Sequence, residues 1–119
     1  MQINTGPKGS GIAGEALAAY RAIKFNTATP AVLVYADAGD RPVGFTQEAF
    51  ASGDEVTFIR PHGSWLWEGS GVLANGDLVM CANDGVAVVE TSATTPTAFT
   101  VCQVRVARAA TAPSEMEKV

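Results

Sequence analysis

Residues 50–58 read FASGDEVTF and residues 73–80 read LANGDLVM, so the pattern apolar-Ala-x-Gly-Asp-x-Val occurs twice. A looser version, ALAAYRAIKF at residues 16–25, carries Tyr20-Arg21 where the others carry Gly-Asp. Glycine supplies the positive φ that a tight turn demands, and an aspartate side chain bonds the backbone beside it. In each copy the turn runs into an apolar stretch. The chain therefore reads as one turn-strand unit used repeatedly, which predicts a small all-β domain.

The composition fits one such domain. Domains commonly span about 100–150 residues, and this chain has 119. A chain of that size buries enough surface for a core without metal or disulfide staples. Charged residues are 17% of the sequence, against an average of about 25%, so much of the surface is near-neutral and suited to a covering partner. Twelve acids against eight bases give a formal charge of −4, and no Lys/Arg cluster forms the stripe that nucleic-acid binding requires. No apolar run reaches the length of a membrane span. The opening MQINTGPKGSG lacks the layout of a secretory signal, so synthesis in a cytoplasm is expected.

Between the ends, runs of Val, Ile, Phe and Trp are punctuated by Gly, Pro, Asn and Asp, as strands and turns require. Strands are expected near 22–26, 31–36, 42–46, 55–60, 64–68, 78–82, 86–90 and 98–106. Asn83-Asp84-Gly85 marks a hairpin, since Asp-Gly tolerates positive φ, and Pro61-His62-Gly63 is expected to close another. Residues 1–13 read as an N-terminal arm, 14–108 as a single β domain and 109–119 as a flexible C-terminal tail. The chain also aligns with itself. Ile23 falls on Leu78, Phe25 on Met80, Val32 on Ala87 and Val34 on Val89, which leaves open either duplication or two hairpins of equal length.

Nothing in the sequence assembles a reaction centre, and no cofactor or metal is implied. His62 is the sole histidine, and Ser64 stands too near it on an extended strand for base–nucleophile geometry. One histidine without paired cysteines or carboxylates makes no zinc site. Asp37/Asp40 and Asp54-Glu55 pair like acid–base dyads but fall in turns, where aspartate bonds the local backbone, and the Gly-Asp turns at 53–54 and 76–77 offer too few oxygens for calcium. Cys81 and Cys102 sit in β-type apolar runs and read as buried thiols acting as small hydrophobes.

Trp65-Leu66-Trp67 is the sharpest local signal. On a strand the two indoles share one face and Leu66 takes the other. Three readings are open: core, subunit interface, or a platform for stacking sugars. Apolar groups on both faces favour a strand covered on one side by another chain. The candidate capsid- or subunit-interface residues are Ile3, Pro7, Ile12, Trp65 and Trp67.

The run from Gly14 to Val106 resembles the small capsid cement, or head decoration, proteins of tailed phages. The likeness is carried by AGEAL and IKF within Ala13–Phe25, by Asp37–Gly44 (DAGDRPVG), by Ala51–Val56 (ASGDEV), and by a second G-D-L-V at Gly76–Val79. A Thr-rich stretch, Thr91–Pro96, and Pro96-Thr97-Ala98-Phe99 depart from the pattern. The resemblance implies a small β-barrel or β-tulip-like domain on the outer surface of an assembled head. It implies no catalytic residues. Its partners would be the major capsid protein and the chain itself, as a homotrimer at threefold positions bridging neighbouring capsid subunits. A module binding glycans or a host surface, displayed on the virion, is the alternative.

Overall fold

The computed structural model describes residues 8–90, 100–108 and 112–118. Its strands are β1 (Lys8–Ala13), β2 (Ala22–Phe25), β3 (Val32–Tyr35), β4 (Gly44–Phe45) and β5 (Glu55–Ile59) in the first half. In the second half come β6 (Ser64–Glu68), β7 (Leu78–Cys81), β8 (Ala87–Val89), β9 (Cys102–Val106) and β10 (Pro113–Glu117). A short 3-10 turn at Asn83–Gly85 joins β7 to β8, with Asp84 and Gly85 both at positive φ. The expected all-β architecture is present, and each of the eight expected strands has its counterpart.

Two boundaries differ from expectation. Lys8–Ala13, assigned to the arm, is β1, which pairs with both β3 and β5 and so closes a barrel. Its glycines hide it from any reading of apolar periodicity. Pro113–Glu117, assigned to the tail, is β10, which lies between β6 and β9 with Ser114 and Met116 buried. Its alternation of small or apolar with acidic residues is a strand signal that reads as tail composition. Pro61-His62-Gly63 closes no hairpin either. The strands on either side of it pair elsewhere, and the segment carries the chain from one half to the other.

The two halves share one pairing scheme. The first is a closed barrel in the order β1-β3-β2-β4-β5, and the second a five-stranded sheet in the order β6-β10-β9-β7-β8. In the first half β2 pairs antiparallel with β3 and β4, β4 with β5, and β5 with β1. In the second, β7 pairs antiparallel with β8 and β9, β9 with β10, and β10 with β6. The parallel β1–β3 pair is matched by a single parallel bridge, Gly69 to Ala87, just beyond β6. The two halves are thus duplicates in topology.

The self-alignment needs one correction. It sets Ile23, which is buried in the barrel core, on Leu78, which is only partly covered, whereas the buried residues of β7 are Val79 and Cys81. A slip of one residue exchanges the faces of a strand. Matching by pattern found the hairpins and missed their faces.

Their cores are filled in opposite ways. In the barrel, Gly9 and Gly11 lie opposite Phe58 and Val56. A Cβ on Gly9 would come within 2.4 Å of the Phe58 ring, and one on Gly44 within 2.2 Å. In the second half the corresponding positions of β6 hold Trp65 and Trp67, which face Met116 and Ser114. A large ring against glycine on one side becomes a large indole against a smaller side chain on the other. The barrel's interior is Ala13, Leu17, Ile23, Leu33, Val56 and Phe58.

The second sheet takes its filling partly from the barrel wall. Ala22, Phe45 and Ile59 are paired neighbours on the barrel's outer side, and they join the core of Trp65, Trp67, Val79, Cys102, Val104 and Met116. Phe45 lies with its ring centroid 5.2 Å from that of Trp65 and 4.9 Å from that of Trp67. Such aromatic pairs add about 0.5–1.5 kcal/mol each beyond the area they bury.

The repeated turn is built in the same way at each copy. Gly53 and Gly76 have φ of 90° and 88°. The Asp54 carboxylate accepts from the Ala51 N–H at 2.9 Å, and that of Asp77 from the Ala74 N–H at 2.8 Å. Each turn then holds one residue of another segment through both of its backbone groups. Gly53 N–H donates to the Ala13 carbonyl and Ala13 N–H to that of Asp54, and Gly76 and Asp77 hold Val104 likewise, at 2.7 and 2.9 Å in both cases.

The degenerate copy keeps this geometry with substitute parts. Tyr20 takes the glycine's place at φ 60°, and Tyr20 and Arg21 hold Thr46 by the same two bonds, each 2.9 Å. The missing carboxylate is replaced by two hydroxyls. Tyr35 Oη accepts from Ala18 N–H at 2.7 Å, and Thr46 Oγ1 accepts from Arg21 N–H while donating to the Ala18 carbonyl.

Two outcomes are expected. Thr46→Val removes a fully buried hydroxyl that serves two backbone groups, at a cost of about 2–3 kcal/mol. Asp77→Ala acts on an exposed turn and costs about 1 kcal/mol. Urea unfolding should rank them in that order, and the reverse ranking would contradict the account. Gly9→Ala should destabilise by about 1–3 kcal/mol through overpacking, and adding Phe58→Leu should return part of that loss. A double variant less stable than either single one would contradict the ring-against-glycine packing.

Candidate docking surface

The described residues offer surfaces more readily than a reaction centre. His62 is exposed on the link between β5 and β6, beside half-buried Ser64. No group of three or more His, Cys, Asp or Glu gathers at metal-binding spacing among the described residues. Asp37 and Asp40, considered above as a dyad, belong to a fourth turn of the repeated kind. Asp40 accepts from the Asp37 N–H at 2.9 Å, Gly39 stands at φ 80°, and Gly39 N–H donates to the Cys81 carbonyl at 3.0 Å. Lys24 Nζ reaches Asp40 at 2.7 Å and Asp37 at 3.1 Å. The bond from Lys24, with that from the Asp37 N–H, holds the Asp40 carboxyl below its usual range, and the two carboxylates raise the Lys24 ammonium. These charges secure a turn.

Both tryptophans belong to the core. Trp65 and Trp67 are 1% and 0% exposed, and Trp67 Nε1 donates to the Gly85 carbonyl at 2.8 Å. Leu66, on the opposite face, is also buried within the same chain. The interface and sugar-platform readings both require an accessible indole, so the structure corrects them in favour of the core. The face that carries the two indoles is covered by the first half of the same chain, through Phe45. A sequence without the topology gives no sign of that internal partner.

The other candidates separate. Ile3 and Pro7 lie outside the described residues. Ile12 is on the outer side of β1 and 43% exposed. It registers with Val32 on β3, and Val34 follows on the same side of that strand. Ile12, Val32 and Val34 therefore form a short apolar strip on the barrel wall, bordered by Glu55, the partner of Ile12 on β5. Among the described residues, the other large exposed apolar groups are Phe25, Val72 and Val106. Val72 is 85% exposed on the loop after β6, beside a small cleft bordered by Leu73, Val88 and Val89.

Cys81 and Cys102 are free, fully buried thiols in the second core. Burial pushes the Cys81 thiol up to about 12 and raises that of Cys102 as well. They pack as small hydrophobes, as the sequence indicated. Ellman's reagent at pH 8 should therefore leave both untouched in the native protein and titrate both in denaturant. Rapid labelling of either thiol without unfolding would contradict their burial.

No helix among the described residues is long and apolar enough to cross a membrane. No protein-family model matches the chain, and no curated protein matches it. Among solved structures, the fold is similar to the crystal structure of the N base of the head fiber gp8.5 of bacteriophage phi29. The TM-score is 0.77 at 16% identity, over 95% of this chain and 93% of that one. The likeness runs almost end to end in both molecules, so the shared fold includes both halves.

Proposed function

We propose that the chain is a structural protein of a tailed-phage particle, a decoration protein that docks on the outer surface of the assembled head. It acts as a brace across neighbouring major capsid subunits and has no enzymatic role. The observation that carries this reading is the near-complete fold likeness to the base of a phage head fiber. The sequence resemblance to head decoration proteins points the same way from independent residues. The build suits a brace. A closed barrel, a second core that takes in Phe45 from the barrel wall, and turns that hold neighbouring segments by both backbone groups give a rigid body.

A homotrimer at threefold positions is part of the proposal. Three copies of a modest contact bind far more tightly than one, and a head-to-tail interface whose rotation closes produces such a ring. The Ile12–Val32–Val34 strip is the face proposed for the shell, with Ile3 and Pro7 as further contacts. The glycan-binding alternative loses its basis with the burial of both indoles.

Co-sedimentation with the heads of the phage that encodes the chain tests the reading. Binding to assembled heads should be at least about tenfold tighter than to unassembled capsid protein. Ile12→Thr should weaken it with little change in thermal stability, because that side chain lies on the outer side of the barrel and threonine suits a strand. Equal affinity for isolated capsid protein, or no affinity for heads, would overturn the proposal.

A further inference from the structure

The second Gly-Asp turn carries a reactive pair that the first does not. Where the first copy has Ser52 before Gly53, the second has Asn75 before Gly76, the only Asn-Gly pair in the chain. An asparagine carboxamide can be attacked by the backbone nitrogen of the next residue, and glycine, without a side chain, leaves that nitrogen unhindered. The other three asparagines precede Thr or Asp, whose side chains crowd the attacking atom.

In the folded chain both reacting groups are occupied. Asn75 is exposed, yet its Oδ1 accepts from the Ala107 N–H at 2.8 Å. The Gly76 N–H, whose nitrogen is the nucleophile, donates to the Val104 carbonyl at 2.7 Å. Two further bonds fasten the same turn to β9. Val104 N–H donates to the Asp77 carbonyl at 2.9 Å, and Gln103 Nε2 to the Gly76 carbonyl at 3.3 Å. Attack requires the carboxamide to swing onto the Gly76 nitrogen and that nitrogen to shed its proton. The bonds to Ala107 and Val104 must therefore both break first.

We propose that Asn75 is a site of spontaneous deamidation, closed while β9 is docked on the turn and opened when the two separate. The Gly76 nitrogen, its proton lost to solvent base, bonds to Asn75 Cγ as the carboxamide C–N bond breaks, and ammonia leaves with a proton from water. The product is a five-membered succinimide. Water then opens the ring at one of its two carbonyls. Opening at the main-chain carbonyl gives isoaspartate, with one extra carbon in the backbone, and opening at the side-chain carbonyl gives aspartate. Aspartate keeps an acceptor for the Ala107 N–H, whereas the lengthened isoaspartyl backbone displaces Gly76 from Val104. The modification accumulates as β9 lifts, and it is independent of the proposed role on a phage head.

The test is incubation of the full-length protein at mildly alkaline pH, folded and in urea, with peptide mass mapping at intervals. In urea, Asn75 should convert to the acid ahead of the other asparagines, with isoaspartate as the main product. In the folded protein the conversion should be at least about tenfold slower, because it waits on local opening. Asp77→Ala removes the turn's own bond to the Ala74 N–H, and Gln103→Ala removes the side-chain bond to Gly76. Each should speed conversion in the folded protein, Asp77→Ala by about fivefold, and leave the rate in urea unchanged. Hydrogen exchange at the Gly76 amide should rise by the same factor. Equal rates in the folded and urea-unfolded protein, no conversion at Asn75 in urea, or a folded-state rate unmoved in both variants would each overturn the proposal.

Discussion

The structure depends on a turn that holds a neighbouring segment by both of its backbone groups. A turn with its third residue at positive φ, closed by an aspartate on its own first N–H, leaves one N–H and one C=O pointing away from itself. Those two groups pair with a single residue of another segment: Ala13 at the end of β1, or Val104 within β9. Buried backbone groups must be paired somewhere, and strands as short as these have few rungs of their own. Each turn therefore acts as one extra rung beside a short strand. The copy at Tyr20-Arg21 shows that the geometry is what is retained. Its glycine and its aspartate are both replaced, yet the same two bonds form, to Thr46.

From this unit follows the relation between the halves. Both run the same five-strand scheme, but one closes on itself and the other keeps a single bridge where the first has a parallel pair. The open side of the second sheet receives the barrel's outer wall, with Phe45 packed against both tryptophans. The exchange of size between paired positions makes this possible. Glycines on β1 leave room for Phe58 inside a narrow barrel, and tryptophans on β6 reach across to Phe45. A duplicated chain has in this way become one rigid body in place of two beads.

Much of this was legible in the residues. Gly-Asp turns, an Asn-Asp-Gly hairpin and alternating apolar runs located eight strands, because those signals are local. β1 was hidden because its inward positions are glycines, whose role appears only beside Phe58. β10 was hidden because Ser114 and Met116 alternate with acids in what reads as a tail, and their burial is decided by β6 and β9. The tryptophans were legible as a strand, with core as one of three readings, and only the packing of the barrel wall against them decides for core. Ile12 could be named from sequence, whereas its apolar neighbours Val32 and Val34 needed the register.

In the proposed role, a duplicated β body braces the outside of a phage head. Cryo-electron microscopy of heads carrying the chain, subtracted from heads lacking it, tests this most directly. The account predicts difference density on the outer surface of the shell, at threefold positions and spanning adjacent capsid subunits, into which both five-strand halves fit as one body. Density confined to a single capsid subunit, density inside the shell, or no density at all would contradict it.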